Sequence, residues 1–71
     1  MALAAEVVRV DPDVLGGTPV FPGTRVPVET LFAYLQEGHR VEDFRADFPS
    51  VTREQAEAVL DWAGRHIATA A

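Results

Sequence analysis

The stretch GGTPVFPGTRVPVETL, residues 16–31, contains the point at which the chain changes from extended to helical patterning. Before Pro27, glycine, proline and β-branched residues dominate, and Pro22-Gly23 suits the two central positions of a type II turn. After Pro27, apolar residues recur with the spacing of one helix face. They are Val28, Leu31, Phe32 and Leu35. We therefore interpret Pro27 as the start of a helix, and the segment before it as a turn rather than a phosphate-binding loop, which would add a lysine to its glycines.

Two short helices are predicted after this point. The first covers residues 28–37, and Gly38 follows it as a natural left-handed stop. A second apolar pattern predicts a helix over residues 41–47, which Pro49 terminates. The apolar residues of the second helix are Val41, Phe44 and Phe48.

A longer third helix is predicted over residues 53–68. Thr52 and Gln55 have the form of a capping box, in which a hydroxyl and an amide each satisfy a backbone N–H at the helix start. Trp62 and His66 flank the apolar stripe of this helix. The stripe itself consists of Ala56, Val59, Leu60, Ala63 and Ile67.

The segment before the helices has a β-rich sequence. EVVRV at residues 6–10 predicts a short edge strand, which Asp-Pro-Asp at residues 11–13 ends. We therefore predict one mainly α domain over residues 1–71, with a β arm over residues 6–26 and a three-helix bundle over residues 28–68. The order of the helices is typical of a helix-turn-helix or homeodomain-like fold.

Length and composition favour a supporting partner. A chain of 71 residues buries a thin core, and domains below roughly 80 residues usually depend on a disulfide, a metal or a partner subunit. Cysteine is absent, so we expect a homodimer that pairs through the β arm. No apolar run approaches the ~20 residues of a membrane span, and charges interrupt the N-terminus too early for a signal peptide. We expect a cytoplasmic protein without membrane contact.

The basic residues are few and are all arginine. Six arginines and no lysine stand against eleven acidic residues, giving a net charge of -5. Arginine suits fixed, planar contacts with carboxylates or phosphates. The candidate contacts to a protein partner are Arg9, Arg25, Arg40, Arg45 and Trp62. Two roles stay open for Arg25, which either braces the turn beside it or reaches a partner, and Trp62 is either a core residue or an interface anchor.

Nucleic-acid binding is disfavoured by the charge, because duplex affinity depends largely on basic side chains that displace counterions. Arg53 and Arg65 on the third helix are the candidate DNA contacts. Their outward neighbours Glu54, Glu57 and Asp61 would face phosphates unfavourably.

The sequence lacks the residue patterns that are typical of a catalytic site or a metal site. His39 and His66 do not form a paired metal-ligand spacing, and Ser50 has no histidine near it in sequence. We therefore expect no enzyme activity, no metal and no cofactor. The remaining conspicuous residues are assigned to turns and helix ends: Gly17, Pro19, Gly23, Pro27, Gly38, Pro49 and Thr52.

A set of motifs occurs in a characteristic order along the chain. They are Gly16-Gly17-x-Pro19, Gly23-Thr24-Arg25, Gly38, Asp47-Phe48-Pro49, Thr52, and Leu60 to Ala63. Over residues 8–67 the chain resembles the prokaryotic family called domain of unknown function 433, whose members are commonly described as antitoxin-like. The resemblance implies a homeodomain-like three-helix fold with a short β arm, and pairing with a toxin, often a PIN-like ribonuclease. The chain departs from the family in Pro27, where a hydroxyl residue is common, and in Phe48, where tyrosine is more usual.

Three functional hypotheses follow. The first is an antitoxin-like interaction module of a type II toxin-antitoxin system, in which an arginine enters the carboxylate cluster that holds Mg²⁺ in a PIN-like ribonuclease. The second is a dimeric helix-turn-helix regulator that binds DNA. The third is a self-associating structural domain without a toxin, in which the β arms pair and remove exposed edges.

Overall fold

Three helices dominate the structure, a computed structural model that describes the backbone of residues 7–70 and the side chains of residues 7–67. Helix α1 covers Val28–Gln36, α2 covers Val41–Asp47 and α3 covers Arg53–Ala70. Helix α2 packs against both α1 and α3. The mainly helical class is confirmed, and the three predicted helices agree with the observed ones to within two residues at each end. The homeodomain-like arrangement stays a prediction.

The predicted edge strand is not formed. Within residues 7–70 the chain has no named strand and only two isolated antiparallel bridges, which join Arg9 to Val20 and Val20 to Pro27. Val7, which was assigned to the strand, is helical, and Glu6 lies outside the described residues. The proposed β arm is therefore reduced to two bridges.

A turn at Asp11 explains why pairing stops after one residue. The Asp11 carboxylate accepts a hydrogen bond from the Asp13 N–H at 2.9 Å, and its carbonyl accepts one from the Val14 N–H at 2.9 Å. The chain turns there and continues into a 3-10 turn over Leu15–Gly17, which the sequence patterns did not predict. Leu15 adopts a φ of 50°, a left-handed conformation that costs a non-glycine residue about 1 kcal/mol.

The Pro22-Gly23 turn is present. The Thr24 N–H donates to the Phe21 carbonyl at 3.0 Å, and Gly23 has a φ of 75°, as the third position of a type II turn requires. The Phe21 N–H then donates to the Val26 carbonyl at 3.1 Å. The segment from Phe21 to Val26 thus folds back on itself and leads into α1.

The hydrophobic core is shared by the helices and the segment before them. Phe21 is 0% exposed, and its ring centroid lies 5.8 Å from that of Phe44 on α2. The other buried members of this cluster are Val7, Val26, Leu31, Val51, Ala56 and Val59. The apolar stripes of α1 and α2 and the first part of the α3 stripe face this core as predicted. The buried residues before α1 show that the supposed arm is part of the core.

The prediction that Ile67 belongs to the buried stripe of α3 is wrong. Ile67 is 70% exposed. The last buried residue on the described part of α3 is Val59, so Ile67 lies about 12 Å further along the helix axis, beyond the core. Helical spacing defines a face but does not say where the neighbouring helices end.

Gly38 ends α1 as predicted. It has a φ of 88°, and its N–H donates to the Leu35 carbonyl at 3.1 Å. The next N–H, from His39, donates to the Tyr34 carbonyl at 3.0 Å. This pair of bonds is a Schellman motif, which needs a left-handed residue at the position of Gly38.

Alanine at two glycines should change stability in opposite directions. We expect Gly38→Ala to lower the free energy of unfolding by about 1 kcal/mol, because a Cβ strains the left-handed conformation. Gly64 lies within α3, and nothing approaches within 4 Å of a Cβ added there. Gly64→Ala should therefore raise the free energy of unfolding by about 0.5–1 kcal/mol. Urea denaturation measures the free energy of unfolding of both variants. A change of the same sign in the two variants would contradict the roles assigned to Gly38 and Gly64.

Candidate partner-binding surface

A shallow concave surface of about 620 Å³ lies beside the turn that leads into α1. Its apolar part consists of Val14, Val20 and Val26, and its charges come from Arg9, Asp11 and Arg25. We call it the arginine surface. Gly23, Thr24 and Ser50 also line it. The structure thus brings together two of the arginines that were predicted to contact a partner, although they lie in different segments.

Backbone hydrogen bonds position both arginines. The Arg9 N–H donates to the Val20 carbonyl at 2.8 Å, and the Val20 N–H donates to the Arg9 carbonyl at 2.9 Å. Arg25 follows the turn, where the Thr24 hydroxyl donates to the Phe21 carbonyl at 2.8 Å and accepts a hydrogen bond from the Val26 N–H at 3.1 Å. Thr24 therefore closes the turn, and Arg25 is left exposed on the surface.

Gln55 ties this turn to the start of α3. The Thr52 N–H donates to the Gln55 side-chain oxygen, and the Gln55 N–H donates to the Thr52 hydroxyl, both at 3.0 Å, which confirms the predicted capping box. The Gln55 side-chain N–H also donates to the Pro22 carbonyl at 2.9 Å. The bond from Gln55 to Pro22 could not be predicted from residue spacing, because the turn and the helix are far apart along the chain.

Arg40 and Arg45, two of the candidate partner contacts, are engaged within the chain. Arg40 lies 3.7 Å from a Glu42 carboxylate oxygen. Arg45 donates from its Nε to the Val51 carbonyl at 3.1 Å and so holds the loop between α2 and α3. Neither lines the arginine surface.

The two candidate DNA contacts on α3 are also engaged. Arg53 forms ion pairs with Glu57 at 3.0 Å and with Glu42 at 3.4 Å. Arg65 forms an ion pair with Asp61 at 3.1 Å. Acidic neighbours on the same helix and on α2 therefore already neutralise the positive charge that would face a duplex.

Arg9 and Arg25 differ from these four arginines. Among residues 7–67 their side chains make no hydrogen bond and no ion pair. The bracing role considered for Arg25 is therefore not observed. The described part of the chain presents two exposed guanidinium groups on one surface without a carboxylate bonded to either.

Trp62 lies on α3 and does not line the arginine surface. Its half-buried side chain packs against the core, and its ring stacks on His66 with centroids 4.0 Å apart. His66 Nδ1 lies 2.8 Å from the Trp62 carbonyl, which requires the proton to be on Nδ1. Of the two roles considered for Trp62, its contacts match the core role.

The remaining predicted structural residues lie at the ends of elements. Gly17 ends the 3-10 turn, and the Pro19 carbonyl accepts the Val28 N–H at 3.0 Å. Pro27 is the residue immediately before α1, and Pro49 follows the residue that ends α2.

The described side chains include no group of three or more histidine, aspartate or glutamate residues that could hold a metal ion. No helix within residues 7–70 is long and apolar enough to cross a membrane.

Tyr34 and Asp47 join α1 to the end of α2. The Tyr34 hydroxyl donates to an Asp47 carboxylate oxygen at 2.5 Å, and its ring lies edge-on to those of Phe44 and Phe48. The hydrogen bond to Asp47, followed by desolvation and the negative charges of Asp47 and Glu37, raises the pKa of Tyr34 above its ordinary 10.0.

The alkaline limb of the stability curve should report this contact. The pKa of Tyr34 is higher in the folded chain than in the unfolded chain. The contact therefore contributes fully to the free energy of unfolding below pH 10.0, and this contribution is lost as pH rises through the pKa of the folded chain. Tyr34 is the only tyrosine, so tyrosinate absorbance should show a midpoint above 10.0 in the folded chain. Tyr34→Phe should remove this part of the pH dependence. A midpoint at or below 10.0 would contradict the contact.

These features define a small three-helix module in which the segment before the helices completes the core and presents an arginine surface. The sequence profile of DUF433, described as "Protein of unknown function", matches residues 8–63, and the chain belongs to that family.

Two relatives show the extent of the similarity. The uncharacterized protein y4eO of Sinorhizobium fredii (strain NBRC 101917 / NGR234) is 47% identical over 55 residues, which cover 78% of this chain and 25% of that protein. The chain thus spans a quarter of the length of this curated relative. The crystal structure of a DUF433 member protein from Anabaena variabilis ATCC 29413 matches with a TM-score of 0.72 and 28% identity, covering 96% of this chain and 67% of that one.

Proposed function

We propose that the chain is a protein-interaction module that binds an acidic partner through the arginine surface, as the antitoxin of a type II system that inhibits a PIN-like ribonuclease. The observation that carries the proposal is the pair Arg9 and Arg25, exposed on one surface without a bonded carboxylate among the described side chains. The ribonuclease as partner comes from the family resemblance.

The charge balance makes this pair unusual. The chain has eleven acidic residues and six arginines, so unpaired positive charge is scarce. Arg40, Arg45, Arg53 and Arg65 are each engaged within the chain. An acidic partner would give the two remaining guanidinium groups the charge-assisted, bidentate bonds that the chain itself does not supply.

A PIN-like active site offers such a partner. Its carboxylates converge to hold Mg²⁺, and a planar guanidinium can bond two carboxylate oxygens in place of the metal. Arg25 suits this role best, because it lies at the end of a turn that is held by Thr24 and by the bond from Gln55 to Pro22. A preorganised turn reduces the entropy lost on binding.

DNA binding by a dimer is the second candidate. The order of α2, a short loop and α3 supports it. The ion pairs of Arg53 and Arg65 oppose it, because they occupy the basic groups of α3. A gel-shift with the upstream region of the protein's own gene, repeated across salt concentrations, tests it, since phosphate contacts must weaken steeply as salt rises.

Co-expression with the product of the adjacent gene tests the main proposal. With a tag on this chain, we expect the two proteins to purify together and the neighbour's ribonuclease activity to appear only when this chain is removed. Separate purification of the two proteins, together with a neighbour that is harmless when expressed alone, would overturn the proposal.

A further inference from the structure

The backbone of Val10, beside the bridge residue Arg9, forms an unpaired edge among the residues that the structure describes. Arg9 directs both its N–H and its carbonyl at Val20, at 2.8 and 2.9 Å. In an antiparallel pair the adjacent residues direct their backbone groups to the opposite side. The Val10 backbone accordingly makes no hydrogen bond to any residue that the structure describes, and its side chain is 60% exposed. An unpaired backbone edge with an exposed valine is a template for another strand.

We propose that this edge pairs with the same edge of a second copy of the chain, antiparallel, with Val10 opposite Val10 of the second copy. Antiparallel pairing of identical segments is self-complementary and closes around a two-fold axis. The two Val10 side chains then cover each other. The bridges from Pro27 to Val20 and from Val20 to Arg9 continue across the axis into the second copy.

Charge selects this register. Arg9 and Asp11 both line the arginine surface, as residues two apart in an extended segment should. With Val10 at the axis, Arg9 lies opposite Asp11 of the second copy, and the symmetry creates this pair twice. A register with Arg9 at the axis would instead place two arginines directly opposite each other, which is destabilising.

Few residues take part in this pairing, so the affinity between the two copies is low. Pro12 has no N–H, so the ladder cannot extend beyond it. We therefore expect a dimer that dissociates on dilution. The inference does not depend on a ribonuclease partner: the pairing gives Arg9 a carboxylate and leaves Arg25 available on the arginine surface.

Reversing the two charges tests the pairing by sedimentation. Arg9→Asp places two aspartates opposite each other, and Asp11→Arg places two arginines opposite each other. Each variant alone should therefore dimerise at least about tenfold more weakly than the unaltered chain. A mixture of the two variants restores both opposite-charge pairs across the axis and should dimerise as heterodimers. The double variant should dimerise with itself.

Controls separate this result from loss of folding or of net charge. Asp13→Arg and Arg40→Asp change the charge equally at exposed positions outside the edge and should leave the dimer unchanged. Circular dichroism verifies that each variant is folded, and heterodimers in the mixture show that both edges are intact. The proposal is overturned if the unaltered chain stays monomeric at high concentration, if the single variants dimerise normally, or if their mixture stays monomeric.

Discussion

Replacement of Phe21 by alanine should lower the free energy of unfolding by about 3–5 kcal/mol. The side chain is 0% exposed and contacts the Phe44 ring at a centroid distance of 5.8 Å. A domain of this length has a free energy of unfolding of roughly 4–11 kcal/mol. Loss of this one ring should therefore remove a large share of the free energy of unfolding.

The size of this effect tests whether the segment before α1 is core or appendage. If it were an arm attached to an independent bundle, Phe44→Ala would be severe and Phe21→Ala mild. We expect comparable losses for both substitutions. Urea denaturation monitored by helical circular dichroism measures them, with Ile67→Ala as the exposed control, which should change stability by less than about 0.5 kcal/mol. A Phe21→Ala midpoint close to that of the control would refute the shared core.

Arg25→Gln should weaken binding of the proposed ribonuclease partner by about thirtyfold or more. Removing one member of a buried, hydrogen-bonded charge pair at an interface costs at least about 2 kcal/mol, because the partner's carboxylates are left unpaired. Stability should barely change, since the Arg25 side chain is exposed and makes no bond to the described residues. Calorimetric titration of the purified complex components measures the affinity.

Arg40→Gln is the matched control. It removes the same charge from a side chain that is 80% exposed and already lies beside Glu42. Its affinity should stay within a few fold of that of the unaltered chain. Equal weakening by both substitutions would show that the partner senses net charge rather than the arginine surface.

The helices could be predicted because their signals are local. Thr52 and Gln55 mark the start of α3, and Gly38 marks the end of α1, each within a few residues of the backbone groups that it satisfies. Such contacts can be inferred from spacing alone. The family motifs lie at the same turns and helix ends, so the family resemblance and the local contacts predict the same helix boundaries.

The rest depended on contacts between distant segments. The burial of Phe21 and the bond from Gln55 to Pro22 join parts of the chain that no spacing rule relates. Ile67 has the spacing of a buried residue but lies beyond the core. The sequence likewise could not show which arginines are bonded within the chain, because this depends on where the carboxylates and carbonyl groups lie in space. Arg9 and Arg25 were named among several candidates, and only the fold brings them onto one surface.

Amide hydrogen exchange of this chain, with and without the proposed ribonuclease partner, tests the central claim most directly, namely that the arginine surface is the binding surface. Residues 23–26 are decisive, because they line this surface and lie outside the edge proposed to form the dimer. We expect slower exchange at residues 23–26 in the complex and unchanged exchange along the described part of α3. Protection confined to α3, with residues 23–26 exchanging as in the free chain, would contradict the account.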